Sequence, residues 1–171
     1  MNTSWALGFI VGLLLVAVIS LVIRKLLKRK GARGEYDERQ QIVRGKAYTV
    51  AYATLLIYLA VWFVLASMQI PWVVTPEFVL IGVLLSVTVF AGYAIFHDAY
   101  FKASEKPMSW IIILALVGAL NLGIGVWNLV RREAGGLHAS GNISTGLALI
   151  AVLICALIKR VLDRRAEGGE R

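Results

Sequence analysis

Long apolar stretches, separated by short charged links, constrain this chain more than any other feature of its sequence. A helix needs about 20 apolar residues to cross the hydrocarbon core of a bilayer. Five stretches reach or approach that length without an interrupting charge, at about residues 5–23, 47–68, 78–96, 108–130 and 143–158. We therefore predict an all-α integral membrane protein with five transmembrane helices, folded as a single membrane domain over residues 1–171.

Composition supports the same fold class. Hydrophobic residues make up 59% of the chain, charged residues only 16%, and the mean hydropathy is +0.77, whereas soluble domains carry about a quarter charged residues. The last apolar stretch has only 16 residues, so we expect Lys159, Arg160 and Arg164 to lengthen it by reaching the interface. Residues 166–171 are predicted to form a flexible tail. Cys155 is the only cysteine in the sequence, which excludes an intramolecular disulfide.

The positive charges predict the orientation of the helices. Of the 18 lysines and arginines, 16 lie in residues 24–46, 97–107 and 159–171, which five spans would place on one side of the membrane. The positive-inside rule then predicts a plasma-membrane protein with its N-terminus outside and its C-terminus in the cytoplasm, provided that residues 143–158 span fully. No Lys or Arg precedes the first stretch, which favours an uncleaved anchor over a signal peptide.

A basic cluster follows the first apolar stretch directly. It is explained as a topology signal, and it would also attract anionic lipid headgroups at about 1 kcal/mol per residue. The predicted headgroup ligands are Arg24, Lys25, Lys28, Arg29 and Lys30. The net charge of +8 does not indicate nucleic-acid binding, because no soluble module presents a basic face.

Residues 24–46 form a charged elbow before the second apolar stretch. Asp37-Glu38-Arg39-Gln40 fits a capping box, in which Asp37 accepts from the Gln40 amide and the Gln40 side chain bonds back to the Asp37 amide. We expect one helix of about 30 residues, because a single interior glycine, Gly45, costs only about 1 kcal/mol. This helix would extend the second span into the cytoplasm. It is either a capped, solvated helix or a docking surface, with Asp37, Glu38, Arg39, Gln41 and Arg44 as partner-binding candidates.

The same motif carries a resemblance. The run Asp37-Glu38-Arg39-Gln40, followed by Arg44-Gly45-Lys46-Ala47 and a membrane span, resembles a segment of small prokaryotic multi-pass membrane proteins classed as domains of unknown function. The resemblance covers about fifteen residues and implies no catalytic residue. Some of these proteins sit beside helix-turn-helix regulators, which would imply a signalling or sequestration role.

Polar residues within or beside the apolar stretches are candidates for function. Asn121 and Asn128 are seven positions apart and share one helix face, which favours either helix packing or contact with a substrate or ion. We expect a second stripe of small residues, Ala115, Ala119 and Gly123, to allow close helix packing. His97 and Asp98 follow the third span, where His97 is expected to cap the helix or to take part in a proton relay. His138, the other histidine, is predicted to lie on the opposite side, so no metal site is expected.

The sequence contains no motif of a known catalytic or cofactor site. It favours a non-enzymatic accessory or regulatory protein that acts through a protein partner or a homo-oligomer contact at the elbow. The alternative is a small oligomeric transporter or channel that uses the Asn121 and Asn128 face. A third hypothesis, an intramembrane enzyme, rests on His97, Asp98 and the pair Tyr48 and Tyr52.

Overall fold

The computed structural model describes residues 36–101, 107–131 and 136–169, together with Val18. Within these residues all regular structure is helical, in four helices. They are α1 (Glu38–Ser67), α2 (Pro76–Phe96), α3 (Pro107–Arg131) and α4 (Gly136–Gly169). Each helix is long and apolar enough to cross a membrane. They correspond to the second to fifth predicted spans, whereas the first, residues 5–23, lies outside the described residues.

The four helices pack in the spatial order α1, α2, α4, α3. In the described part of the chain, α1 packs closely on α2 alone, α3 packs closely on α4 alone, and α2 and α4 pack on each other. One end of the bundle combines the start of α1, the end of α2, the start of α3 and the end of α4, as contacts between these segments show. We call it the polar end. The last helix in the chain therefore lies between α2 and α3.

The long helix α1 has the extent that its local sequence predicts. Asp37 caps its N-terminus, and the helix continues without a break through Gly45 for 30 residues. It ends at Ser67, where Gln69 adopts a left-handed φ of 53° and Pro71 follows closely. The predicted continuity with the second span is confirmed for residues 38–46 of the elbow, while residues 24–35 lie outside the described residues.

The packing of α1 on α2 depends on a glycine and on hydrogen bonds between the helices. A side chain at Gly82 would collide with the ring of Tyr58, so the absence of a Cβ allows this close approach. The Tyr58 hydroxyl donates to the carbonyl of Phe78 at 2.6 Å, and Ser86 Oγ donates to the carbonyl of Ala51 at 2.9 Å. The two helices are thus held in a fixed register.

The link between α1 and α2 is held in place by a hydrogen bond from α1 to a buried residue of the link. Trp62 Nε1 donates to the carbonyl of Val73 at 2.9 Å, and Val73 is fully buried. The next helix begins with Pro76 directly after Thr75, in agreement with the general preference for proline in the first helical turn. These contacts hold the link against the bundle.

Glycines bring α3 and α4 together, but they are not the predicted small residues. A Cβ at Gly118 would contact Ile150, and a Cβ at Gly125 would meet the backbone of α4 at Ala139 and Ile143. Gly146 of α4 lies equally close to α3. The predicted stripe is wrong: Ala119 and Gly123 are exposed and Ala115 is only half-buried, because α4 packs on the other face of α3.

Helix α4 is longer than its apolar stretch predicts. The sequence places its start near residue 143, but the helix begins at Gly136 and has 34 residues. The additional turns are stabilised by packing, since Ala139 is buried and both Ala139 and Ile143 lie directly against Gly125. At the other end the helix continues to Gly169, four residues into the segment 166–171. The flexibility of that segment stays a prediction.

Most of the buried hydrophobic residues in the described part of the bundle are alanines, while many large apolar side chains face outwards. A buried cluster joins α2, α3 and α4 through Ala91, Ile95, Ile111, Val152 and Ala156. In contrast, Phe63 of α1 is 70% exposed and Val130 of α3 is 74% exposed. An apolar outer surface on apolar helices suits a lipid environment.

Candidate interaction site at the polar end

The cap of α1 is the first element of the site. Asp37 has an extended backbone, and its carboxylate accepts a hydrogen bond of 2.6 Å from the Gln40 amide. Glu38 occupies the first helical turn, where a negative charge is stabilised by the helix dipole. The Gln41 side chain donates to the carbonyl of Tyr36 at 2.9 Å. The predicted helix start and its acidic cap are confirmed.

The other half of the predicted capping box is wrong. The Gln40 side chain does not bond back to the Asp37 amide. Its Nε2 donates instead to the carbonyls of Asp98 at 2.9 Å and Phe101 at 3.2 Å. The reason is a contact between distant parts of the chain: the turn after α2 places its carbonyls beside the first turn of α1, where the Gln40 side chain reaches them.

Two further side chains donate to the same turn. Arg44 donates to the carbonyl of Ala99 at 3.3 Å, and the Tyr36 hydroxyl donates to the carbonyl of Tyr100 at 3.3 Å. We call Tyr36, Gln40 and Arg44 the clasp. Four successive carbonyls, those of residues 98 to 101, therefore accept hydrogen bonds from side chains at the start of α1. The clasp fixes the start of α1 to the end of α2.

The turn itself has a defined backbone. Asp98 adopts a left-handed φ of 57°, a conformation that aspartate tolerates better than most residues. The Ala99 amide donates to the carbonyl of Ala94 at 2.8 Å, and Ala99 is fully buried. His97 Nδ1 lies 2.8 Å from the carbonyl of Tyr93, and because a carbonyl only accepts, this nitrogen donates. His97 therefore caps the C-terminal end of α2, as predicted.

The turn also contacts α4. Lys159 Nζ lies 3.1 Å from Asp98 Oδ1 and 2.7 Å from Asp163 Oδ1. Arg160 approaches the sulfur of Met108 at the start of α3, at 3.0 Å. Because the Asp98 side chain is 60% exposed, this ion pair contributes at most about 1 kcal/mol to stability. Its larger effect is geometric, since it joins the last helix to the turn that the clasp holds.

The surroundings of the Tyr100 hydroxyl shift its pKa. Burial raises the pKa of the Tyr100 hydroxyl above its usual value of 10, and the nearby Tyr36 adds to the increase. The positive charge of Arg44 acts in the opposite direction. Tyr100 therefore keeps its proton at neutral pH.

The predicted partner-binding residues separate into two groups. Asp37 is exposed but its carboxylate is engaged in the cap, and the half-buried Arg44 faces the turn. Glu38, Arg39 and Gln41 are exposed. Their neighbours Ile42, which is 63% exposed, and Lys46, also exposed, lie on the same side. We call Glu38, Arg39, Ile42 and Lys46 the contact face. Among the described residues, its three charged members form no ion pair.

Sequence reasoning missed the roles of Gln40, Tyr36 and Tyr100. A signal for Gln40 existed: at helical spacing it shares a face with Arg44, Ala47 and Ala51, and both alanines are buried. Small residues on that face indicate close packing, so the polar residues in line with them meet the same neighbour. Nothing local indicates that the neighbour is the turn at residues 97–101.

The other predicted candidates lie apart from the clasp. Asn121 is half-buried and donates through Nδ2 to the carbonyl of Val117 in its own helix at 2.8 Å, and Asn128 is also half-buried. Both asparagines stay predictions for a transport pathway. The predicted headgroup ligands of residues 24–30 lie outside the described residues. Among the residues that are described, no group of three or more His, Cys, Asp or Glu side chains could hold a metal ion.

The helices and their apolar surfaces define the class of protein: it is an α-helical membrane protein with at least four helices able to span. Comparison with known proteins adds no relative, because no protein-family model, curated protein or solved structure matches this chain. The resemblance at residues 37–47 therefore stays a prediction.

Proposed function

We propose that this protein is a non-enzymatic accessory or regulatory protein of a prokaryotic plasma membrane, with five transmembrane helices. It acts through the contact face of α1, which extends into the cytoplasm and binds a protein partner or a second copy of the chain. The N-terminus lies outside and the C-terminus inside. The orientation is supported by the distribution of Lys and Arg described above.

One observation carries this proposal: the first turns of α1 are fixed on one side and exposed on the other. The clasp bonds one side to the turn at residues 98–101. The opposite side carries Glu38, Arg39 and Lys46 around the apolar Ile42. A surface that is already rigid binds a partner at a lower entropic cost than a flexible one. Mixed charge around an apolar centre fits a protein surface with complementary charges.

The test is photocrosslinking from the contact face in native membranes. A photoreactive amino acid at position 42 should give a discrete adduct, with a partner or as a covalent dimer. The double charge reversal Glu38→Lys and Arg39→Glu should reduce the yield of that adduct about tenfold or more, because opposed like charges cost several kcal/mol. As a control for charge reversal elsewhere, Arg164→Glu with Arg165→Glu, at exposed positions near the end of α4, should leave the yield unchanged.

The proposal fails if position 42 gives only lipid adducts, or if the contact-face and control variants behave alike.

A separate labelling experiment tests the orientation. In a Cys155→Ser background, Arg39→Cys should react with a membrane-impermeant thiol reagent only after the cells are opened. Val74 is 55% exposed in the link before α2, and a Val74→Cys variant should react in intact cells. The reverse pattern would overturn the orientation and leave the contact face untested, so the two experiments are read separately.

A further inference from the structure

A cavity of about 260 Å³ lies beside the clasp at the polar end. One arginine and five aromatic residues line it: Tyr36, Arg44, Phe90, Tyr100, Phe101 and Trp110. Residues from α1, α2, α3 and the turn after α2 all contribute, so the cavity exists only in the assembled bundle. No carboxylate is among its described lining residues. Since drug-sized sites have volumes of about 300–1,000 Å³, this cavity fits part of a larger molecule or a small ion.

Arg44 gives the cavity a fixed positive charge. Its guanidinium lies 4.1 Å from the centre of the Tyr36 ring and 5.5 Å from that of Phe90. It makes one long hydrogen bond of 3.3 Å to the carbonyl of Ala99. A guanidinium has five N–H donors, and in the described part of the chain no carboxylate pairs with this one. The group is therefore held in position while most of its donors remain available for an anion.

The charge and the aromatic character of the lining side chains distinguish between possible ligands of the cavity. An aromatic cavity can bind a quaternary ammonium group, but here a guanidinium already occupies the face of Tyr36 and would repel a second cation. An arginine fork matches the oxygens of a phosphate. The remaining walls are apolar, and Trp110 is 42% exposed at the start of α3. A ligand that fits both features carries a phosphate and, a few bonds away, an apolar part.

We propose that this cavity binds the phosphate of an anionic phospholipid. Arg44 is the phosphate ligand, and Phe90 and Trp110 contact the apolar part of the lipid next to the headgroup. The location agrees with this ligand, because the polar end joins apolar helix surfaces to charged turns, as a bilayer joins its hydrocarbon core to its headgroups. None of the described residues that line the site belongs to the contact face, so the lipid proposal does not depend on the proposed partner contact.

Native mass spectrometry of the full-length protein tests the proposal. The protein is purified in detergent and incubated with phosphatidylglycerol or phosphatidylcholine. One phosphatidylglycerol should remain bound at energies that remove phosphatidylcholine. Arg44→Gln should weaken that binding about tenfold, the scale expected for lost charge-assisted hydrogen bonds. Arg39→Gln, which removes an exposed arginine from the opposite side of α1, is the matched control and should bind like the original protein.

A second variant guards against a folding defect in Arg44→Gln. Trp110→Ala removes a wall of the cavity but none of the hydrogen bonds of the clasp, and it should also lose phosphatidylglycerol. Equal retention of the two lipids, or unchanged binding in Trp110→Ala, would overturn the proposal. Inorganic phosphate and glycerophosphoglycerol are the competitors that separate a lipid from a free anion. If either displaces the lipid at equal concentration, the site recognises a soluble phosphate and the lipid assignment is wrong.

Discussion

Gln40 Nε2 lies 2.9 Å from the carbonyl oxygen of Asp98, across 58 positions of sequence. A residue at the first turn of α1 thereby satisfies a carbonyl at the end of α2. The helices are also joined near their other end, where the Tyr58 hydroxyl bonds to Phe78. The pair of helices is therefore fixed at two separated points.

The first prediction concerns this hydrogen bond. Gln40→Ala should lower the free energy of unfolding by about 1–2 kcal/mol, because two carbonyls, of Asp98 and Phe101, lose their donor. Gln41→Ala is the matched control, since its exposed side chain bonds only to the neighbouring Tyr36, and it should change stability by about 0.5 kcal/mol or less. Denaturation of both variants in the same detergent makes the comparison. Equal effects would show that the clasp does not stabilise the fold.

The second prediction compares two glycines on one helix. Gly125→Ala should destabilise the protein by about 1–3 kcal/mol, because the new Cβ would meet the backbone of α4, which cannot move aside as a side chain could. Gly123→Ala should be neutral or stabilising by up to about 1 kcal/mol, since its Cβ meets nothing within 4 Å and alanine favours the helix. Thermal unfolding in detergent measures both. Similar losses in the two variants would contradict the packing of α3 on α4.

The third prediction concerns the ion pair between Asp98 and Lys159. A double-mutant cycle with Asp98→Asn and Lys159→Gln should give a coupling energy of about 0.2–1 kcal/mol, because the pair is partly exposed. The coupling should fall as salt is raised. A parallel cycle with Asp98→Asn and Arg164→Gln should give no coupling. A coupling energy that does not change with salt concentration would contradict the solvent exposure of this ion pair.

The fourth prediction concerns the ionisation of Tyr100. Arg44→Gln should raise the pKa of its hydroxyl further, because the positive charge that lowers it is removed. The pKa is already raised in the folded protein, so the stability that this group contributes is complete below about pH 10 and is lost as the pH rises through the folded pKa. Ultraviolet titration of phenolate absorbance, taken as the difference from a Tyr100→Phe variant, measures the shift. A lower pKa in Arg44→Gln would contradict the position of the guanidinium.

Local signals account for the features that the sequence predicted correctly. The extent of α1 follows from an acidic cap at Asp37, an uninterrupted apolar stretch and a proline shortly after its end. The apolar stretch at about residues 78–96 likewise located α2, which begins two residues earlier, at Pro76. Each of these signals depends on residues within one or two turns of the helix end, and such signals can be read without knowing the fold.

Features that depend on neighbouring helices were not predicted. The start of α4 at Gly136 rather than near residue 143 is stabilised by packing against Gly125. Two stripes of small residues on α3 have helical spacing, and only the position of α4 selects Gly118 and Gly125. Gln40 bonds to a turn 58 residues away. In each example the sequence allows two arrangements, and the contact that chooses between them joins distant parts of the chain.

The spatial order of the helices has a consequence for how the protein is made. As the chain is synthesised, α1 and α2 can pair as soon as both have entered the membrane. α3 packs closely only on α4 among the described helices, so of these helices it has no close partner until α4 has been synthesised. A chain that stops at residue 131 would leave the close-packing face of Gly118 and Gly125 open to lipid. Quality-control proteases of the membrane should therefore degrade such a truncated chain faster than one that includes α4.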